Sequence, residues 1–317
     1  MPAGKLLLAI ALCLTATSAQ AAGFRVIDVP ADTGGPALTG AIWYPCSAPP
    51  GEVELGPYTL PVAKDCPIAG DKLPLVVISH GRRGGAIGHH DTAETLADAG
   101  FVVAAINHPG DTTFDASRTE ELSVFITRPA DIKRLIDFML GSSPAAPTID
   151  ARRIGVFGFS RGGYTGLVVV GAEPRFQAAG RYCQGAPALC EEISGGKVRL
   201  THDPRIKAAV IADPLSAFFD AGSLAAVKVP VRLWRSQNGG DGVTPESVAA
   251  VEKLLPANHE YHVVANAAHF AFMTPCPAPL AAERPERCTD APGFDRAAFH
   301  QQFNAAVLAF FRQHLMQ

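Results

Sequence analysis

Gly158-Phe159-Ser160-Arg161-Gly162 closes a short apolar run and opens onto a stretch with helical character. A serine hydroxyl is a poor nucleophile until a base takes its proton and an acid orients that base. Gly-x-Ser-x-Gly between strand and helix suits this chemistry, because a tight turn lifts Oγ above the sheet while the glycines leave room for close helix–strand approach. Downstream, His269 in Ala265-Asn266-Ala267-Ala268-His269-Phe270 fits the base. It follows the last expected strand, and the small residues before it let its loop approach Ser160. The other histidines are worse placed: His259 and His262 belong to that strand, His300 and His314 to the closing helix, and His202 to an irregular insertion.

Two carboxylates compete for the acid. Asp241 lies in Asn238-Gly239-Gly240-Asp241-Gly242, after an expected strand over 229–234, where a triad acid usually falls. Asp213 ends the strand before it, at a strand terminus where ligands gather on open α/β sheets. The reading favours Asp241 and keeps Asp213 as the alternative. The tetrahedral oxyanion needs two preorganised N–H donors, expected from the backbone of Arg161 and of Arg82. His80 reads as a structural brace for the Arg82 loop. The side chains of Arg82, Arg83 and Arg161 either put positive charge at a pocket rim, which would favour an acidic or polar substrate, or point away into solvent. Arg83 and Trp234 stand as candidate substrate contacts.

These residues need a scaffold. Leu73–Ser79, Phe101–Ile106, the run into Phe159, Ile206–Ala212, Val229–Trp234 and Glu260–Val264 are apolar segments bounded by turn signals, as buried strands should be. Helical stretches separate them, at about 90–99, 127–140, 164–171, 246–254 and 294–315. Alternating strands and helices indicate α/β architecture: a mostly parallel central sheet covered by helices on both faces. The chain order serine, acid, histidine is that of the α/β-hydrolase fold. Two early antiparallel strands, Phe24–Val29 and Ala41–Tyr44, precede an irregular stretch over 45–72. Residues 173–204 read as an insertion rather than a second domain.

Met1 to Ala21 has a lysine near its start, an apolar centre and an Ala-x-Ala end, the pattern of a cleaved secretory leader. That predicts a periplasmic or secreted protein with a single domain over 22–317 and no integral membrane segment. Six cysteines remain, an even set that suits disulfides in an exported chain. They fall in three local pairs, Cys46–Cys66, Cys183–Cys190 and Cys276–Cys288, none with the spacing of a zinc knuckle. A net charge of -3 with 27 Lys and Arg recommends no nucleic-acid partner. The chemistry calls for neither metal nor cofactor.

Ser79-His80-Gly81, Asn107-His108-Pro109-Gly110, Arg128-Pro129-Ala130-Asp131, Gly158-Phe159-Ser160-Arg161-Gly162-Gly163, Asp203-Pro204-Arg205 and Ala268-His269-Phe270-Ala271-Phe272 together carry a resemblance. The chain resembles the secreted bacterial branch of the dienelactone hydrolase and type II platelet-activating-factor acetylhydrolase superfamily. The resemblance implies an α/β-hydrolase fold and metal-free hydrolysis of carboxylic esters, with Ser160 as nucleophile and His269 as base. Dienelactone hydrolases proper use a cysteine nucleophile, so Ser160 argues against their substrate. The acetylhydrolases take their acid one strand early, which favours Asp213, whereas the Asp241 loop is similar to that of polyester-cleaving esterases. The expected activity is therefore a serine carboxylic-ester hydrolase acting on a small-molecule or polymeric ester. An amidase or peptidase with the same triad, and a binding protein on a retired scaffold, are the alternatives.

Overall fold

A computed structural model describes residues 21–176, 187–195 and 199–317. Ten strands of the described residues form one sheet in the order β10-β9-β8-β7-β5-β6-β2-β1-β4-β3. In chain order they are β1 (Ala21–Val29), β2 (Leu38–Cys46), β3 (Gly51–Leu55), β4 (Tyr58–Lys64), β5 (Leu73–Ser79), β6 (Val102–Ile106), β7 (Ile149–Phe159), β8 (Ile206–Ala212), β9 (Val231–Ser236) and β10 (His259–Val264). The six strands from β6 across β5 to β10 pair in parallel, while β2 joins β6 and β1 antiparallel. Every residue of β5 and β6 is buried, as continuous apolar strands covered on both faces require.

The helices are α1 (His90–Asp98), α2 (Val124–Leu140), α3 (Arg161–Val169), α4 (Pro187–Ser194), α5 (Pro245–Leu254), the short α6 (Ala278–Glu283) and α7 (Pro285–Cys288), and α8 (Arg296–Leu315). Leu96 of α1 and Phe303, Val307, Phe310 and Phe311 of α8 pack on Val76, Ile78 and Phe157 on one face. On the other face, Ile132 and Leu135 of α2, Leu167 of α3 and Val248 of α5 cover Leu75, Val77 and Val156. The alternation of neighbours such as Val76 and Val77 between these clusters is the period-two pleat of a strand.

The stretch over 45–72 differs from its expectation. It is not irregular: β3 and β4 form a hairpin with Leu55 opposite Tyr58. Gly51, Gly56, Pro57 and Pro61 disguise it in sequence. The chain turns at Gly56, at φ 60°, and β1 pairs with β4 only at Ala63 and Lys64, so Pro61 has no strand on that side to bond. Helix α2 also starts earlier than its Thr127-Arg128-Pro129 signal, running through Pro129. A proline inside a helix strands the carbonyl four residues back. Here the Phe125 carbonyl accepts instead from the Tyr164 hydroxyl at 3.2 Å, so the helix is not broken.

Disulfides join Cys46 to Cys66 and Cys276 to Cys288. Cys183 of the third expected pair lies outside the described residues, as do the expected leader except Ala21 and part of the 173–204 insertion. No helix among the described residues is long and apolar enough to cross a membrane.

Candidate active site

The carboxyl ends of β5, β7 and β8 meet the loop after β10, and Ser160 sits there between β7 and α3 at φ 56°, ψ -119°. That conformation is strained for a residue with a side chain. Three backbone bonds hold it: Ser160 N–H to the Ala212 carbonyl at 2.9 Å, and Leu215 N–H and Tyr164 N–H to the Ser160 carbonyl at 2.9 and 3.1 Å. A Cβ on Gly162 would run into the Ser79 carbonyl. Glycine there is what lets α3 start so close to β5.

His269 opens a 3-10 turn (His269–Phe272) after β10. Its Nε2 lies 2.9 Å from Ser160 Oγ, and its Nδ1 lies 2.8 Å from Asp213 Oδ2. All three residues are buried. The backbone seats the ring: His269 N–H donates to the Gly239 carbonyl at 2.8 Å, and Asn238 N–H to the Ala267 carbonyl at 2.9 Å. Phe159 lies against the imidazole at 4.7 Å between ring centroids.

The carboxylate against His269 is therefore that of Asp213, the alternative, and not that of Asp241. Asp213 follows directly after β8, at φ 44°. Its Oδ1 accepts from Ser236 N–H at 2.9 Å, and its Oδ2 accepts from Ser236 Oγ–H at 2.7 Å as well as from His269. Three donors on a strand-end carboxylate fix its direction before any substrate arrives. Asp241 caps the tip of the glycine loop at φ 46°. Its side chain, 27% exposed, turns to the cleft mouth, with Oδ1 3.5 Å from Arg82 Nη2. The loop meets His269 with its backbone at Gly239, so its side chain is left to face outward.

The arginines divide in an unexpected way. Of the three candidates, Arg82 alone has its side chain at the cleft, where it bridges Glu120 and Asp241. Arg161 does not reach the rim: its guanidinium is buried, bonded to Asp111 at 2.9 Å and to the Thr119 carbonyl at 2.7 Å, over the Phe125 ring. Arg83 is exposed and lies outside the cavity wall, which Arg287 joins instead. Trp234 also makes no approach to Ser160. It stacks on His262 and meets Phe303 of α8 edge-on, because β9 turns alternate side chains to the α8 face.

His80 braces its loop as expected. Its Nδ1 donates to the Gly81 carbonyl at 2.7 Å and its Nε2 accepts from His108 N–H at 3.2 Å. Burial, with Arg128 nearby, holds this imidazole well below its ordinary pKa. The backbone N–H groups of Arg82 and Arg161 have no hydrogen-bond partner among the described residues.

A cavity of about 20 Å³ beside Ser160 is lined by Gly81, Gly85, His89, Phe159, Phe270 and Met273 among others, room for roughly one water. The wider cleft outside it, about 270 Å³, is bounded by Arg82, Glu120, Arg161, Leu215, Asp241 and Gly242. From Leu215 and Gly242 an apolar groove of about 240 Å³ continues along α5. His89 carried no sequence signal. It is buried with Nδ1 lacking a partner among the described residues, and burial draws its pKa down to about 4, leaving a neutral ring in the cavity wall. Asp111, Glu120 and Arg287 were equally silent, since no motif marks them.

Residues 51–122 match the family described as platelet-activating factor acetylhydrolase, isoform II, and residues 89–183 match the prolyl oligopeptidase family. No curated protein is similar enough in sequence to count as a match. Among solved structures, a ferulic acid esterase from Streptomyces cinnamoneus superposes with a TM-score of 0.64 at 20% identity, over 95% of this chain and 92% of that one. At that identity the likeness concerns the fold, and the fold is that of the α/β-hydrolases. Each family match covers less than half of the chain, one to the acetylhydrolases and one to the prolyl oligopeptidases.

Proposed function

We propose that the protein is a serine carboxylic-ester hydrolase working through an acyl-enzyme. The observation that carries this reading is the relay from Asp213 through His269 to Ser160 Oγ, at 2.8 and 2.9 Å, on a strained elbow that opens to a cleft. His269 Nε2 takes the Ser160 proton as Oγ attacks the ester carbon. Asp213 stays ionised and holds the Nδ1–H, fixing the tautomer and stabilising the imidazolium. The amides of Arg82 and Arg161, unpaired among the described residues, receive the oxyanion. Collapse expels the alkoxide, which takes the proton from Nε2. Water then attacks the acyl carbon and loses a proton to His269; collapse expels Ser160 Oγ, which takes that proton back from Nε2, and frees the acid.

The structural neighbour's description as an esterase supports the ester reading. The match to the prolyl oligopeptidase family over 89–183 gives a peptidase or amidase the second place, because the same relay cleaves amides when the leaving nitrogen can be protonated. We also take the chain to be exported, with its leader over 1–21 and one catalytic domain over 22–317. On the substrate, Arg82 already faces Glu120 and Asp241, so acidity is a weaker requirement than the arginine content implies. A fluorophosphonate should label Ser160 in the folded protein, and a matched panel of esters and amides should give the higher kcat/KM for the esters. A folded protein that does not label would leave a binding scaffold. Faster amide turnover would install the peptidase.

A further inference from the structure

Beneath the loop that follows β5, four donors converge on one carboxylate. Asp111 is fully buried. Its Oδ1 accepts from Arg83 N–H at 3.1 Å and Thr119 Oγ1–H at 3.0 Å. Its Oδ2 accepts from Arg128 Nη1 at 2.5 Å and Arg161 Nη1 at 2.9 Å. Burial alone would push this carboxyl up, but the two guanidiniums hold it below the usual carboxylate range. Burial lowers Arg128 to about 10 even beside Asp111, so it stays charged at neutral pH.

Two of the four donors, Arg83 N–H and the Arg161 guanidinium, come from the two segments that carry the candidate oxyanion amides. Arg83 follows Arg82 directly, and Arg128 also donates through Nη2 to the carbonyl of His80. The Arg82 peptide is thus gripped on both sides, by Arg128 at His80 and by Asp111 at Arg83. Arg161 carries the second amide, and its guanidinium ends on the same oxygen of Asp111. Arg83 sits at φ 51°, a conformation a non-glycine residue keeps only when its surroundings hold it. Two guanidiniums sharing one carboxylate also leave excess positive charge in a poorly screened interior, which favours a nearby anion.

We infer that Asp111 is a positioning residue that sets the spacing of the two oxyanion donors, Arg82 N–H and Arg161 N–H. The inference rests on the serine-hydrolase reading above. Oxyanion donors act by being aimed where charge develops, and a single buried carboxylate tied to both loops fixes that aim in the resting enzyme. Asp111 touches neither substrate nor reacting atoms.

Asp111→Asn keeps an oxygen for one set of donors and removes the charge the guanidiniums share. Counted per fluorophosphonate-titrated site, kcat should fall on the order of 10²-fold, near the effect of losing one oxyanion donor. KM should stay near wild type, affinity for a boronic-acid transition-state analogue should fall in proportion to kcat, and the pH midpoint of kcat/KM should not move. Normal kcat and analogue affinity per titrated site, with only a lower melting temperature, would overturn the inference. Should Asp111→Asn fail to fold, Arg161→Gln retains the backbone amide and the Arg83 and Arg128 contacts. It should reproduce the paired loss of kcat and analogue affinity at smaller size, with Arg161→Lys partly restoring both, and unchanged values would refute the positioning role. Wild-type protein that does not label would instead sink the hydrolase reading itself.

Discussion

The described residues include two Ser–His–Asp relays of nearly equal dimensions. In one, His269 lies 2.9 Å from Ser160 Oγ and 2.8 Å from Asp213. In the other, His108 lies 3.0 Å from Ser79 Oγ and 3.0 Å from Asp131. What separates them is the backbone and the surroundings. Ser160 sits on a strained turn at the wall of a cleft, whereas Ser79 ends β5 with no exposure and takes a further contact from Arg128 Nη2 at 3.4 Å. Burial and Arg128 hold His108 well below its ordinary pKa, while burial raises Asp131 to about 7 despite Arg134 and Arg128. An acid half-protonated near neutrality is poorly suited to support an imidazolium. The same three side chains therefore form a candidate catalytic relay in one place and an internal strut in the other.

The largest effect should come from testing the serines against each other. Ser160→Ala should abolish labelling and lower kcat by about 10⁶-fold, as in comparable serine enzymes. Ser79→Ala should cost about 1 kcal/mol of stability and leave kcat within a few-fold, so a collapse of activity in folded Ser79→Ala would erase the distinction. The acids come next. Asp213→Asn should lower kcat/KM about 10⁴-fold through loss of the productive tautomer, and Asp241→Asn less than about tenfold. Reversal of that order would return the acid to the glycine loop.

Removing the histidine of the sealed relay should act on stability instead. His108→Ala strands Ser79 and Asp131 and should destabilise by about 2 kcal/mol, while activity per titrated site stays within a few-fold. A smaller effect follows from pH. His80, His89 and His108 are held neutral by burial, so the native state binds fewer protons than the unfolded chain below pH 6.5. Their stabilisation is complete above that value and is lost as pH falls toward the folded pKa, about 4 for His89, worth at most about 3 kcal/mol for that residue. Asp131, raised to about 7, opposes this between its unfolded value of 3.8 and pH 7. Three histidines against one carboxyl should lower the melting temperature from pH 7 to pH 4, and a flat or rising profile would contradict the burial of these rings.

Segments that are almost wholly apolar were legible in sequence: β5 and β8 appear at their expected bounds, with Lys207 the one exposed residue of β8, because a strand buried on both faces admits little else. The β3–β4 hairpin was not, since its glycines and prolines describe turns equally well. Ser160 and His269 could be placed from the elbow pattern and chain order. Choosing between Asp213 and Asp241 needed the Ser236 hydroxyl, which meets Asp213 only across two strands. The burial of Arg161 was hidden for the same reason. Its partner Asp111 is 50 residues away in the chain, and a guanidinium beside a nucleophile looks solvent-facing until that partner is known.

Seating His269 on the Gly239 carbonyl has a consequence for how this site can diversify. The loop after β9 supplies a main-chain ledge, and a ledge is indifferent to the side chains it carries. With Asp213 rather than Asp241 against His269, residue 241 makes no contact in that relay and stands at the entrance opposite Arg82. On the proposed reading, substitutions there should change which molecules enter while leaving Ser160, His269 and Asp213 in contact, so selectivity becomes adjustable apart from chemistry.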